Sequence, residues 1–182
     1  LISGADVAAF EQCIVDGGVA VFPTDTVYGV GCRAGDEAAV ARVYALKGRL
    51  PEKPSAVMCF SVDALPPVGP RTRAALDGLL PGPVLAVLPG GVGIRVPDVP
   101  ELAGLRVAVL QTSANLSGGP DPRRLADVPV LIRDGVDLVL DGGELPGTPS
   151  TVVDLSDYED DGKWKVLREG ALPRETLATL LG

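Results

Sequence analysis

The sequence predicts an α/β domain, on three observations. Hydrophobic residues make up 46% of the 182 positions and aromatics only 4%, so the core must be built from Val, Leu, Ile and Ala, a composition suited to buried sheet covered by helices. Short apolar runs alternate with segments of helical period in strand, helix, strand order. The 23 Gly and 17 Pro are scattered between those runs and mark many turns, not one disordered stretch. A chain of this length suits one domain, expected over residues 1–182.

The first helix is bounded by Ser3 and Asp6 in capping-box spacing and by Gly17 and Gly18 after it, with Val7, Phe10 and Ile14 on one face. Val19 to Phe22 has the length and composition of a buried strand ending at the turn residue Pro23. A helix over Glu37 to Leu46 and a strand over Ala56 to Phe60 follow. The middle of the chain gives a helix over Arg71 to Leu80, stopped by Pro81-Gly82-Pro83, then two adjacent strands at Val84 to Leu88 and Ile94 to Val96. Leu105 to Leu110 reads as a strand running into the polar segment Gln111 to Gly119, and a polar loop at a strand end is a usual binding place. The last third predicts a short helix near Arg123 to Ala126 and strands at Val130 to Ile132, Val136 to Leu140, Thr151 to Leu155 and Lys165 to Arg168. A closing helix starts at Pro173, with Leu177, Leu180 and Leu181 inward. The acidic run Tyr158 to Gly162 reads as a solvated loop.

Charge and composition exclude several functions. The net charge of −8, with 24 acidic against 16 basic residues, is unlike a surface built throughout for nucleic acid, so any RNA contact needs a local basic patch. Cys13, Cys32 and Cys59 lack metal-ligand spacing and lie in or beside apolar segments, as reduced packing residues do. No apolar run approaches the ~20 residues of a membrane span, and no leader pattern opens the chain, so a cytoplasmic location is expected. With no histidine, imidazole triads and His-based metal sites are excluded. There is no Walker A loop, and Gly29-Val30-Gly31 lacks the third glycine of a dinucleotide fingerprint. What remains is chemistry by positioning and electrostatics, with no metal site of the protein's own.

Four polar segments are candidates. Lys47, Arg49 and Lys53 follow a helix C-terminus, where the three either clamp polyphosphate or Lys47 and Arg49 satisfy the helix's terminal carbonyls and dipole. Pro23 to Gly29 offers Thr24, Asp25 and Thr26 at a strand end, either to orient a polar ligand or to close a turn on their own backbone. Thr112 to Gly119, with Ser113 and Asn115, has the small and hydroxyl-rich composition of a phosphate cradle, and also of a turn. Gly147 to Thr151, containing Ser150, repeats the theme. Arg95 and Arg168 lie among strand residues, and neither alone is informative.

In order, these segments resemble the YrdC-like domain family, which includes threonylcarbamoyl-AMP synthases. The match runs through PTDTVYGVGCRA at Pro23 to Ala34, KGR at Lys47 to Arg49, LPGP at Leu80 to Pro83 and IRVP at Ile94 to Pro97. It continues through TSANLSGGP at Thr112 to Pro120, PSTVVDL at Pro149 to Leu155 and VLREGA at Val166 to Ala171. The resemblance implies a twisted mixed parallel/antiparallel sheet flanked by helices around a central basic cavity, in the short single-domain form. It implies ATP as substrate with Mg2+ on the nucleotide, and L-threonine and bicarbonate as co-substrates. The product would pass to a downstream threonylcarbamoyl transferase complex that modifies tRNA. By position, Lys47, Arg49, Lys53, Ser113, Asn115 and Arg168 would hold ATP, and Thr26, Arg49, Arg95 and Ser150 the threonine, with Lys47 and Arg49 the catalytic cations. Two departures stand out: Met58 where many synthases carry a histidine that meets the threonine hydroxyl, and Leu85 where the family pattern has a threonine. Alternative readings of the same family are a translation-associated module binding tRNA or double-stranded RNA, a catalytically degenerate paralogue, and a carbamoyl-transfer domain.

Overall fold

The structure is a computed structural model and describes residues 2–48 and 55–182. Helix α1 (Gly4–Val15) starts as its sequence demands: the Asp6 amide donates to Ser3 Oγ (3.2 Å) and the Ser3 amide to Asp6 Oδ2 (2.8 Å). The other helices are α2 (Glu37–Lys47), α3 (Pro70–Leu79), α4 (Val130–Gly135), α5 (Tyr158–Asp161) and α6 (Arg174–Leu181). The strands are β1 (Val19–Phe22), β2 (Gly29–Arg33), β3 (Ala56–Met58), β4 (Val84–Leu88), β5 (Val92–Arg95), β6 (Val109–Ser113), β7 (Leu138–Val139), β8 (Thr151–Asp154) and β9 (Lys165–Arg168). Among the described residues these strands form one sheet in the order β7-β1-β2-β6-β3-β5-β4-β8-β9. The β1/β7, β3/β5 and β4/β8 pairs are parallel and the remaining pairs antiparallel, so the sheet is mixed.

Register divides the side chains between two faces, because successive residues of a strand point to opposite sides. The row Val19, Cys32, Leu110, Val57, Ile94, Ala86, Val153 runs across the first face. There β1 and β2 pack with Val43 of α2 and Ile132 of α4, and β4, β5 and β8 with Leu76 and Leu79 of α3 and Leu177 of α6. On the second face, Ala20 and Phe22 pack with Phe10 and Ile14 of α1. Beyond α1 the second face carries Gln111, Ala56, Gly93, Arg95, Leu85 and Val87, and these line a cleft.

Several expectations need correction. Residues 130–132 are the first turn of α4, not a strand: the Ile132 and Arg133 amides both donate to Pro129 O (2.9 and 3.1 Å), and only Ile132 is buried, with Val130 58% and Leu131 64% exposed. One inward residue in three fits a helix turn on a sheet better than a buried strand. The strand expected at Leu105 starts only at Val109 and runs through Gln111 to Ser113. Strand β2 lay unrecognised in Gly29 to Arg33, because its two glycines weaken the apolar signal; a Cβ on Gly31 would stand 2.7 Å from Leu110 O, so close pairing with β6 requires glycine there. The acidic run forms α5, where Tyr158 is buried and Glu159 Oε2 accepts the Thr72 amide (2.8 Å), capping α3, which has no side-chain cap of its own. In α6, Leu177 and Leu181 are buried but Leu180 is 46% exposed.

Candidate active site

The cleft encloses about 360 Å3 on the second face of the sheet. Its floor is apolar and shallow in side chain, made by Ala56, Gly93, Leu85, Val87 and Val152. Polar groups converge on it from separate parts of the chain: Thr26 after β1, Arg95 at the end of β5, Gln111, Thr112 and Ser113 from β6, Asp121, Ser150 before β8 and Arg168 at the end of β9. Backbone hydrogen bonds tie these loops together. The Tyr28 amide donates to Pro122 O (2.9 Å), the Ala114 amide to Tyr28 O (2.8 Å) and the Gly147 amide to Thr26 O (2.9 Å). The chain at Gly170 crosses Pro149 and Ser150 so closely that a Cβ there would lie 2.3 Å from Pro149 O, which accounts for glycine in that segment.

Of the residues expected to form the site, Thr26, Arg95, Ser113, Ser150 and Arg168 line this one cleft. Arg49 and Lys53 lie outside the described residues. Lys47 is buried at the end of α2 and turns toward the loop after β6. Its Nζ donates to Ser113 O, Asn115 O (2.7 Å) and Asn115 Oδ1 (3.0 Å). Asn115 Oδ1 also accepts from Ser113 Oγ (2.8 Å), and Asn115 Nδ2 donates to Gly119 O (2.5 Å). Lys47 therefore places its charge behind the Ser113 loop and fixes the loop's shape, which neither of its two sequence readings foresaw.

The Pro23 to Gly29 segment makes both kinds of contact its sequence allowed. Thr24 Oγ1 closes a turn, accepting from the Thr26 and Val27 amides (3.2 and 3.3 Å) and donating to Val27 O (2.8 Å). The same segment receives Arg95, whose Nη2 donates to Asp25 Oδ1, to Thr26 Oγ1 (2.8 Å) and, at 3.5 Å, to Thr24 Oγ1. Arg95 is 3% exposed. Burial pulls its pKa down and Arg168 adds to that, while the Asp25 carboxylate acts in the opposite direction. Arg168 Nη2 donates to Ser150 O (2.8 Å), fixing the guanidinium at the mouth of the cleft.

Buried polar atoms normally find partners. Here Arg95 Nε, Asp25 Oδ2 and Ser150 Oγ are buried and have none among the described residues. Two of those three residues, Arg95 and Ser150, line the cleft, so two of these uncompensated polar atoms lie in its wall.

The sequence does not announce Asp121 as a cleft residue or Asp25 as the partner of Arg95, whereas Gln111, which opens the polar segment expected to bind, does line the cleft. Gln111 had a readable signal, a polar residue alternating with the apolar Leu110 in a strand. Leu85 lines the cleft, so that departure from the family pattern falls in the site. Met58 does not: it is 0% exposed and belongs to the cluster of Phe10, Phe22 and Phe60.

The family follows from comparison with known proteins. The model of the Sua5/YciO/YrdC family, described as "Telomere recombination", matches residues 12–170. The chain belongs to the Sua5/YciO/YrdC family. It is 32% identical to a putative threonylcarbamoyl-AMP synthase of Methanocaldococcus jannaschii, over 91% of this chain and 86% of that relative. It is also 32% identical to the threonylcarbamoyl-AMP synthase of Pyrococcus abyssi, over 93% of this chain but 55% of the longer relative. The crystal structure of P. abyssi Sua5 complexed with L-threonine superposes with a TM-score of 0.88 at 29% identity, covering 100% of this chain and 59% of that one. The mixed sheet with flanking helices is thus the fold of Sua5/YciO/YrdC proteins.

Proposed function

We propose that this chain is an L-threonylcarbamoyladenylate synthase, joining L-threonine, bicarbonate and ATP into threonylcarbamoyl-AMP and pyrophosphate. The observation that carries the reading is the cleft itself, where Thr26, Arg95, Ser113, Ser150 and Arg168 meet and the Arg95 Nε and Ser150 Oγ donors remain unpartnered among the described residues. The synthase names of its relatives and the threonine complex of the P. abyssi protein support it.

The amino-acid end lies at Arg95, Thr26 and Ser150. A guanidinium held in a buried site suits the threonine carboxylate, and the Ser150 hydroxyl, with no partner of its own, suits the threonine hydroxyl. The nucleotide end lies at Ser113 and Arg168, with Asn115 shaping the loop and Lys47 supplying positive charge behind it. Arg49 and Lys53 complete the phosphate contacts in this proposal. In the described lining Arg168 and Arg95 are the cations and Asp121 the carboxylate, with Arg95 already paired to Asp25 behind the wall, so in this proposal the positive charge of the cavity comes from Arg168, Lys47, Arg49 and Lys53.

The reaction then needs alignment more than a nucleophilic side chain. The threonine nitrogen bonds to the carbon of bicarbonate, water leaves, and a carbamate forms. A carbamate oxygen attacks the α-phosphorus, and the bond to the β-phosphate oxygen breaks with its electron pair leaving on pyrophosphate. Cations near the phosphates stabilise the charge developing there. Among the described residues no group of three acidic, Cys or His side chains gathers to hold a metal ion, so magnesium would be carried by nucleotide phosphates and water. Use of the product by a separate transferase acting on tRNA, and a cytoplasmic location, belong to the same proposal. No helix among the described residues is long and apolar enough to cross a membrane.

Incubation with ATP, magnesium, bicarbonate and each amino acid in turn, following pyrophosphate release, tests the proposal. Release is expected with threonine and not without an amino acid. Release that ignores the amino acid rejects it.

A further inference from the structure

We infer that Asp25 is a positioning residue for the reaction: it holds the Arg95 guanidinium by one terminal nitrogen, so that the other terminal nitrogen is presented to the carboxylate of the amino-acid substrate. This rests on the reading of the cleft given above.

The side-chain hydrogen bonds that Arg95 makes among the described residues all run through Nη2, to Asp25 Oδ1, Thr26 Oγ1 and Thr24 Oγ1. Nε is buried and unpartnered. The guanidinium is thus tethered at one corner with Nε enclosed, and Nη1 is the donor left open to the cleft that Arg95 lines. A buried cation with a single carboxylate partner is the costly case unless further acceptors complete its shell. A substrate carboxylate supplies one through the N–H groups of Nη1, a charge-assisted bond that leaves the Nη2 contacts in place.

Asp25 is itself almost enclosed, its side chain 9% exposed against 4% for Arg95. It does not line the cleft and so acts through Arg95. The backbone around it is stiffened by the Thr24 turn on one side and by the Thr26 carbonyl's bond from the Gly147 amide on the other. An Asp25 fixed in this way sets the direction of Arg95 and keeps the guanidinium from swinging toward phosphate, which would mix the two ends of the cleft.

The test uses Asp25→Asn, which keeps size and removes charge, and Asp25→Glu, which keeps charge and displaces it by one methylene. Steady-state pyrophosphate release is measured against threonine at saturating ATP and against ATP at saturating threonine, with circular dichroism to verify folding. A positioning role predicts a rise of about tenfold or more in KM for threonine in Asp25→Asn, with KM for ATP within about twofold of wild type, since tenfold corresponds to the loss of about 1.4 kcal/mol. Asp25→Glu recovers only part, because the charge returns out of place. If Asp25→Asn fails to fold, the same threonine-specific rise in Asp25→Glu is the supporting result. Equal KM changes for both substrates, an unchanged KM for threonine, or full recovery in Asp25→Glu overturns the inference while leaving the synthase reading intact. A wild-type protein that releases no pyrophosphate with threonine overturns both.

Discussion

Replacing Ser150 by alanine separates ligand binding from folding. Ser150 is 4% exposed and its Oγ is buried without a partner among the described residues. In the free protein such a hydroxyl costs on the order of 1 to 3 kcal/mol of unrecovered desolvation. Ser150→Ala deletes that cost along with a few atoms of packing, so the folded state should be unchanged or more stable by about 1 kcal/mol, a rise of roughly 2 to 4 °C in Tm for a chain of this size. In the complex, the lost hydroxyl bond removes about 0.5 to 1.5 kcal/mol, a two- to tenfold fall in threonine affinity. Valine, with no hydroxyl to lose, should keep its affinity. Urea unfolding and pyrophosphate release with threonine and with valine measure the two effects. A variant destabilised by more than about 1 kcal/mol, or one with unaltered preference for threonine, refutes the assignment of Ser150 as a hydroxyl reader.

The same logic extends to other positions. Met58→His places an imidazole in the apolar cluster of Phe10, Phe22 and Phe60 and should cost about 2 to 4 kcal/mol in urea unfolding, with no gain in threonine preference; a stable variant with sharper preference would place Met58 in the site instead. Lys47→Met removes the donor to the Ser113 and Asn115 carbonyls and should weaken ATP binding in calorimetry and lower stability by about 2 to 3 kcal/mol; unchanged ATP affinity refutes the loop-holding role. The Thr72 amide holds the Glu159 carboxyl below its ordinary value near 4.5, so its contribution is complete above that pH and disappears as pH falls through the lower folded-state value. Glu159→Gln should therefore lose less stability between neutral pH and pH 3 than wild type does, and parallel acid-unfolding curves would contradict the cap.

Much of the fold was legible because it rests on local signals. The capping box at Ser3, the turn residues after Phe22 and Leu80, and Pro173 before α6 are sequence devices whose effect does not depend on distant partners. Residues 130–132 misled because three consecutive apolar residues carry no period, and only the position of Ile132 against the sheet decides between strand and helix. Gly29 to Arg33 was hidden since glycines that allow close strand pairing also resemble a turn. The five cleft residues were chosen by their place in the family pattern, and the structure brings them into one cleft. The partnership of Asp25 with Arg95 spans 70 positions, and no local pattern announces a pair of that separation. Nor does sequence distinguish a Lys47 that caps its own helix from one that reaches across to the Ser113 loop.

The most direct measurement is the mass spectrum of the nucleotide product formed from ATP, L-threonine and 13C-bicarbonate in the presence of magnesium. The account predicts an AMP derivative carrying one threonine and one labelled carbonyl carbon, formed together with pyrophosphate. An adenylate of threonine without the label, or no new nucleotide at all, would contradict it.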